Sequence, residues 1–254
     1  MDRRIGKVII FSFLLLTLSG CATVYNPATK KQEVQFITTQ QEVSIGSSIA
    51  RQVEEKFGII NDPALEGRLN FVGQRLAAVS DRRDLAYHFK IVNQKSVNAL
   101  TILGGYIYVH KGLIDKVSSD SELASVVAHE IGHAAARHNA KRLEADMGYQ
   151  LLSGLVFSNP KYANLQRAVD ISVELMMRGY GREDELLADK LGIKYMMRAG
   201  YNPQAFVNFL EKLQSMESGQ SYGIGDFLSD HPSWKERIVD ARAEISWLEI
   251  NGLQ

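Results

Sequence analysis

His129-Glu130-Ile131-Gly132-His133 holds the residues of this chain best suited to chemistry. On a helix, a separation of four places both imidazoles on one face, one turn apart, where they can share a divalent ion. Neutral imidazole is a good ligand for Zn2+. A carboxylate held beside the ion, such as Glu130, can take a proton from metal-bound water. A catalytic zinc needs a third protein ligand and one open position. The single cysteine, Cys21, lies far upstream, so the third ligand must come from a downstream carboxylate or histidine. Glu174, Glu183, Asp184, Glu185 and Asp189 all qualify. Glu185 and Asp189 lie one turn apart, so one could ligate while the other orients a ligand histidine. The same acidic cluster could also serve only the dipole of its helix.

The helix that must carry the first pair is well marked. Ser119-Asp120-Ser121-Glu122 reads as a capping box opening a run through Leu123, Val126, Val127 and Ile131 to about Asn139. Gly132, Ala134, Ala135 and Ala136 keep it slim. Upstream, Ile45, Ile49, Val53 and Phe57 predict one amphipathic helix. Leu65, Leu69, Val72 and Leu76 predict a second, after Asn61-Asp62-Pro63. Tyr87 to Val92 and Gly105 to Val109 read as strands of a small sheet. Arg182 to Ala199 forms a helix ended by Gly200, Pro203 starts another, and a last helix runs to about Trp247. Ala140 to Arg178 reads as a helical hairpin or lid, and Ser218 to Ser229 as a mobile loop. The glycine strand Gly104-Gly105-Tyr106-Ile107 reads as a sheet edge that could add an extended peptide by backbone pairing, or as an ordinary hairpin edge. His88, His110 and His138 are assigned to structure, His138 because five residues beyond His133 it points elsewhere on the helix.

The N-terminus is an address. Basic residues precede an apolar run from Val8 to Leu18, too short to span a bilayer, and Leu18-Ser19-Gly20-Cys21 resembles the bacterial lipobox. The expected organisation is a signal peptide over 1–20, a polar tether with little fixed structure over 21–38, and one domain over 39–254. Several acyl chains on Cys21 would hold the body at a bacterial membrane. Ala22 lacks the aspartate that resembles an inner-membrane retention signal, which favours the outer membrane, facing the periplasm.

Composition narrows the alternatives. The 254 residues carry 29 basic and 29 acidic side chains, with the basic ones scattered, so no nucleic-acid footprint is present. With 45% apolar residues the chain is not disordered, and one cysteine excludes an internal disulfide, a zinc ribbon or an iron-sulfur cluster.

Taken together, His129-Glu130-Ile131-Gly132-His133, Glu185-Leu186-Leu187-Ala188-Asp189, Gly104-Gly105-Tyr106-Ile107-Tyr108-Val109, and His231-Pro232 with Arg237 resemble the zinc metallopeptidase family of HtpX, the CAAX prenyl protease and soluble relatives such as BepA. The resemblance implies an α+β, mostly helical gluzincin domain with a small sheet. It implies one Zn2+ per chain on His129, His133 and Glu185, with Glu130 as general base and Asp189 supporting a ligand histidine. His231 and Arg237 would stand opposite the metal to steady the oxyanion, or His231 would fill the open position at rest. The transmembrane helices of the embedded relatives are missing, so a prenylated substrate does not carry over. Asn98-Ala99-Leu100-Thr101-Ile102-Leu103 also departs from the alanine- and proline-containing approach of many relatives. The function implied is hydrolysis of peptide bonds in exported or outer-membrane proteins. A membrane-tethered chaperone or assembly factor with a resting zinc is the chief alternative, and a hydrolase of cell-wall peptides a more distant one.

Overall fold

The computed structural model describes residues 23–152, 169–172, 179–218 and 234–252. The elements run β1 (Thr23–Asn26), β2 (Lys31–Val34), α1 (Thr39–Phe57), α2 (Pro63–Ala77), β3 (His88–Val92), β4 (Ala99–Thr101), β5 (Tyr106–His110), α3 (Lys111–Ile114), α4 (Asp120–Ala136), α5 (His138–Leu152), α6 (Arg182–Arg198), α7 (Gln204–Ser218) and α8 (Trp234–Asn251). The fold is α+β, mostly helical with small β-sheets. Among the described residues no helix is long and apolar enough to cross a membrane.

Local chemistry sets the helix starts. Thr38 and Gln41 exchange side chain and backbone bonds at the head of α1. Asp62 accepts from the Ala64 and Leu65 amides, with Pro63 in the first turn of α2. Ser119 accepts from the Glu122 amide at the head of α4, but the Glu122 carboxylate takes the amide of Ser118, one residue before the cap. Gly200, at φ 76°, follows the end of α6.

α4 ends at Ala136, three residues earlier than its apolar run suggests. Arg137 adopts a left-handed φ of 61°, unusual for a side chain with a Cβ. Tertiary bonds hold it there: its Nε donates to Glu42 of α1 at 2.7 Å and its Nη2 to the Ile37 carbonyl at 2.6 Å. The chain then restarts as α5 in a new direction.

The three-stranded sheet has the order β3-β5-β4, with β3 parallel and β4 antiparallel to β5. The glycine strand is therefore central, and its expected role as a peptide-accepting edge is corrected. Gly104 and Gly105 take φ of 75° and 85° in the turn before β5. A Cβ on Gly104 would lie 2.8 Å from Val43 Cα, and one on Gly105 2.7 Å from the Ala86 carbonyl oxygen. These glycines serve packing, and the edge strand beside the site is β4.

The expected tether is likewise corrected, because residues 23–34 form an antiparallel hairpin pairing Thr23 with Val34 and Asn26 with Lys31. Its turn is built by the Asn26 side chain, which accepts from the Ala28 amide, and by Lys30 at φ 55°. Glu33 bonds Asn26, Thr29 and, from α5, Lys141.

Most of the core lies between α2, the sheet, α4, α6, α7 and α8. A second cluster joins Ile45, Ile49 and Val53 of α1 to Ile102, Tyr108, Ala140 and Leu143. α4 and α6 cross with almost nothing between their backbones: a Cβ on Gly132 would lie 2.6 Å from the Ala188 carbonyl oxygen, and one on Gly192 3.1 Å from the Ala128 backbone. Of the segment 140–178, α5 covers its start and 169–172 are helical; the rest lies outside the described residues. The Ser218–Ser229 loop, apart from its first residue, lies outside them too.

Candidate active site

Because α4 and α6 touch, side chains one turn apart on each helix meet. His129 and His133 face Glu185, and ligand atoms of the three lie within 4.8 Å of one another. The two Nε2 atoms are 3.0 Å apart, His133 Nε2 is 3.3 Å from Glu185 Oε1, and His129 Nε2 is 3.6 Å from Glu185 Oε2. All three residues are buried.

Asp189, one turn beyond Glu185, places Oδ1 2.7 Å from His129 Nδ1. Burial alone would raise the Asp189 pKa, but the Arg237 charge and the hydrogen bond with His129 outweigh it and hold the carboxyl below its usual range. An ionised Asp189 only accepts, so His129 Nδ1 carries the proton and Nε2 is left to face the cluster. Burial pushes the His133 pKa well below the usual histidine value, against the pull of Glu185, and the ring stays neutral. Two imidazole nitrogens and a carboxylate thus converge on one point, and neutral-imidazole and carboxylate donors are those Zn2+ takes. The residues fit a zinc ion.

Glu130, also buried, is held by β4. Thr101 Oγ1 lies 2.7 Å from Glu130 Oε2 and 2.9 Å from the Glu130 carbonyl oxygen, so the hydroxyl can donate to either. Asn139 donates to the Thr101 carbonyl at 2.7 Å and accepts from the Tyr180 hydroxyl at 3.0 Å. The Tyr180 ring stacks on His133 with centroids 3.7 Å apart.

α8 brings Arg237 to the acids of α6. It is 1% exposed, bonded to Asp189 through Nε and Nη2 at 2.8 Å each, and its Nη1 lies 2.8 Å from Glu185 Oε2. Its guanidinium is committed to the two acids of α6. His138 is a further correction. The break at Arg137 turns it back so that its Nδ1 lies 2.8 Å from His133 Nδ1, and burial lowers its pKa to about 3. His231 and Cys21 lie outside the described residues, as does Glu174. Of the other acids weighed as ligands, Asp184 lies 3.4 Å from His138 Nε2, and Glu183 is exposed. Thr101, Asn139 and Tyr180 went unread in the sequence. None has a motif, and only the pairing of β4 with β5 reveals the first.

A mostly helical domain in which two histidines of a His-Glu-x-x-His helix meet a glutamate of a crossing helix is, as a class, a zinc-metallopeptidase domain. The model of Peptidase family M48 matches residues 63–245, and the chain belongs to that family. It is 30% identical over 211 residues to the beta-barrel assembly-enhancing protease of Escherichia coli (strain K12), covering 80% of this chain and 43% of that protein. The Yersinia pestis protein of that name is 31% identical over 216 residues, covering 81% and 44%. The mitochondrial metalloendopeptidase OMA1 of Arabidopsis thaliana is 32% identical over 163 residues, covering 63% and 32%. The chain spans less than half the length of these relatives.

Proposed function

We propose that the chain is a zinc-dependent endopeptidase that cuts exported or outer-membrane proteins in a bacterial envelope, held to the membrane by acyl chains on Cys21. The observation that carries the enzymatic part is the convergence of His129 Nε2, His133 Nε2 and the Glu185 carboxylate beside a buried Glu130. His129, His133 and Glu185 would hold the ion. When bound, zinc supplies Lewis acidity, polarising a scissile carbonyl and acidifying a water.

The chain's own residues do the rest. Glu130 accepts the water's proton and returns it to the leaving amine. Thr101 fixes the Glu130 carboxylate, and Asp189 fixes the tautomer and angle of His129. Arg237 holds Asp189 and Glu185 in place from α8. An extended polypeptide would lie along the outer edge of β4, the strand that touches Glu130. The buried ligands require that groups above them, Tyr180 on His133 among them, give way to admit it.

The relatives' printed name, beta-barrel assembly-enhancing protease, supports an envelope substrate. The lipobox and apolar leader support export and anchoring. Glu130→Gln is the deciding variant: it should keep one zinc per chain by metal analysis and lose cleavage of an unfolded protein such as casein. Cleavage at the wild-type rate would overturn the assignment of Glu130. Zinc absent from the wild-type chain would overturn the metal. An assembly-promoting activity that survives Glu130→Gln in full would favour the chaperone alternative.

A further inference from the structure

The hairpin β1–β2 has one face partly seated on the body, where Val24 is still 43% exposed, and one turned away. Strand alternation puts Val24, Asn26, Lys31 and Glu33 on the first, where Glu33 bonds Lys141 of α5. Thr23, Tyr25, Gln32 and Val34 lie on the second, and Phe36 is exposed two residues past the end of β2. Large apolar side chains are exposed on this face and just beyond it: Tyr25 is 54%, Val34 46% and Phe36 67% exposed. The exposed Lys30 stands at its turn.

The position of the hairpin says what covers that face. Thr23 is two residues from Cys21, and two residues of fully extended chain reach about 7 Å. Acyl chains on Cys21 would enter a bilayer within that distance of β1, leaving no length over which the hairpin could stand clear. We infer that the Tyr25, Val34 and Phe36 face of the hairpin lies against the phospholipid surface. The aromatic rings sit at the headgroup level, and Lys30, at the turn, meets anionic headgroups. The inference rests on the lipid anchor proposed above, but its subject is the contact the protein itself makes.

The contact would also fix orientation. Besides the Glu33 bond, the segment after β2 is tied down by Glu144, which accepts from the Phe36 and Ile37 amides at 3.2 and 2.9 Å, and by Arg137, which binds the Ile37 carbonyl. Arg137 ends the helix that carries His129 and His133. A hairpin seated on lipid therefore holds the site at one set height and tilt above the bilayer.

The test uses the full-length chain reconstituted in vesicles of phosphatidylethanolamine and phosphatidylglycerol. Single cysteines replace Tyr25, Val34 or Phe36, or Ile250 as a control 82% exposed near the end of α8. Each carries an environment-sensitive fluorophore. Brominated lipids should quench the probes at 25, 34 and 36 several-fold more than the probe at 250, and aqueous iodide should do the reverse. The mass of the N-terminal peptide separately reports acylation of Cys21. An acylated, vesicle-bound chain whose hairpin probes are quenched like the control overturns the surface while leaving the anchor standing. No acyl chain and no vesicle binding overturns both. Quenching by lipid without acylation supports the surface and removes the anchor. Hairpin protection that grows with protein concentration and not with lipid assigns the face to a second copy, and overturns the inference.

Discussion

Thr101 Oγ1 lies 2.7 Å from Glu130 Oε2, so a hydroxyl of the neighbouring strand reaches the carboxylate proposed to move the proton. A hydrogen bond to a charged group is worth about 1.5–3 kcal/mol, which as lost positioning corresponds to a fall in kcat of about 10- to 100-fold. Thr101→Val should show that fall with KM and zinc content unchanged, and Thr101→Ser should restore most of it. A loss that appears in KM or zinc content instead would place Thr101 in a different role.

Arg237 predicts a loss of metal, not of oxyanion stabilisation. Arg237→Met leaves Asp189 and Glu185 buried without their cation, which in buried pairs costs about 3–5 kcal/mol of stability. Disturbing such an outer partner of metal ligands typically weakens metal binding about 10- to 100-fold. Competition against a chelator measures it. Arg237→Lys should recover only part, since an ammonium cannot reproduce the bonds to Asp189 together with the Glu185 contact. Unchanged zinc affinity with slowed turnover would restore the oxyanion role.

Gly132→Ala should damage the site through the helix crossing. Its methyl would lie 2.6 Å from the Ala188 carbonyl oxygen, backbone that cannot rotate aside. Overpacking of this kind costs about 1–3 kcal/mol, and thermal unfolding should begin several degrees lower. Zinc affinity should fall with it, because any separation of α4 from α6 carries Glu185 away from the histidines. A variant with unchanged melting temperature and zinc would show that the crossing is softer than described.

The hairpin's hold on the body should depend on pH through Glu33. Burial raises its pKa, but hydrogen bonds from Lys141, Thr29 and Asn26 outweigh this and leave it below the usual carboxylate range. A depressed folded pKa means that the stabilisation is present above the unfolded value and lost as pH falls through the folded one. Lys141→Met should therefore destabilise the chain at neutral pH, by up to about 1 kcal/mol for a half-exposed pair. The difference from wild type should vanish in acid. A difference that persists after Glu33 is protonated would assign the effect to packing of the lysine stem.

Much of this architecture was open to reading in the residues themselves. The four-residue rhythm of Ile45, Ile49, Val53 and Phe57, the Asp62-Pro63 start and the Ser119 cap are local signals, and each marks a helix that forms. His129 and His133 were nameable because helical spacing and ligand chemistry are local too, whereas these left five acids open for the third ligand and only the family resemblance singled out Glu185. What was missed depends on distant partners. Arg137 breaks α4 because Glu42 and Ile37, about a hundred residues upstream, reward a left-handed conformation that an arginine rarely adopts. That break carries His138 back onto His133. β4 has only three residues and no alternation to announce it, so the glycine strand was taken for the edge and Thr101 passed unnoticed. The hairpin at 23–34 has too few apolar side chains to read as strands, and it is secured by Glu33 bonding a lysine of α5.

The direct backbone contact of α4 with α6 has one more implication. The triangle of His129, His133 and Glu185 is closed by two rods locked against each other, so the contact of the rods itself sets the distance across it. Any change that slides one rod along the other, wherever in the chain it is made, is therefore felt by His129, His133 and Glu185 together.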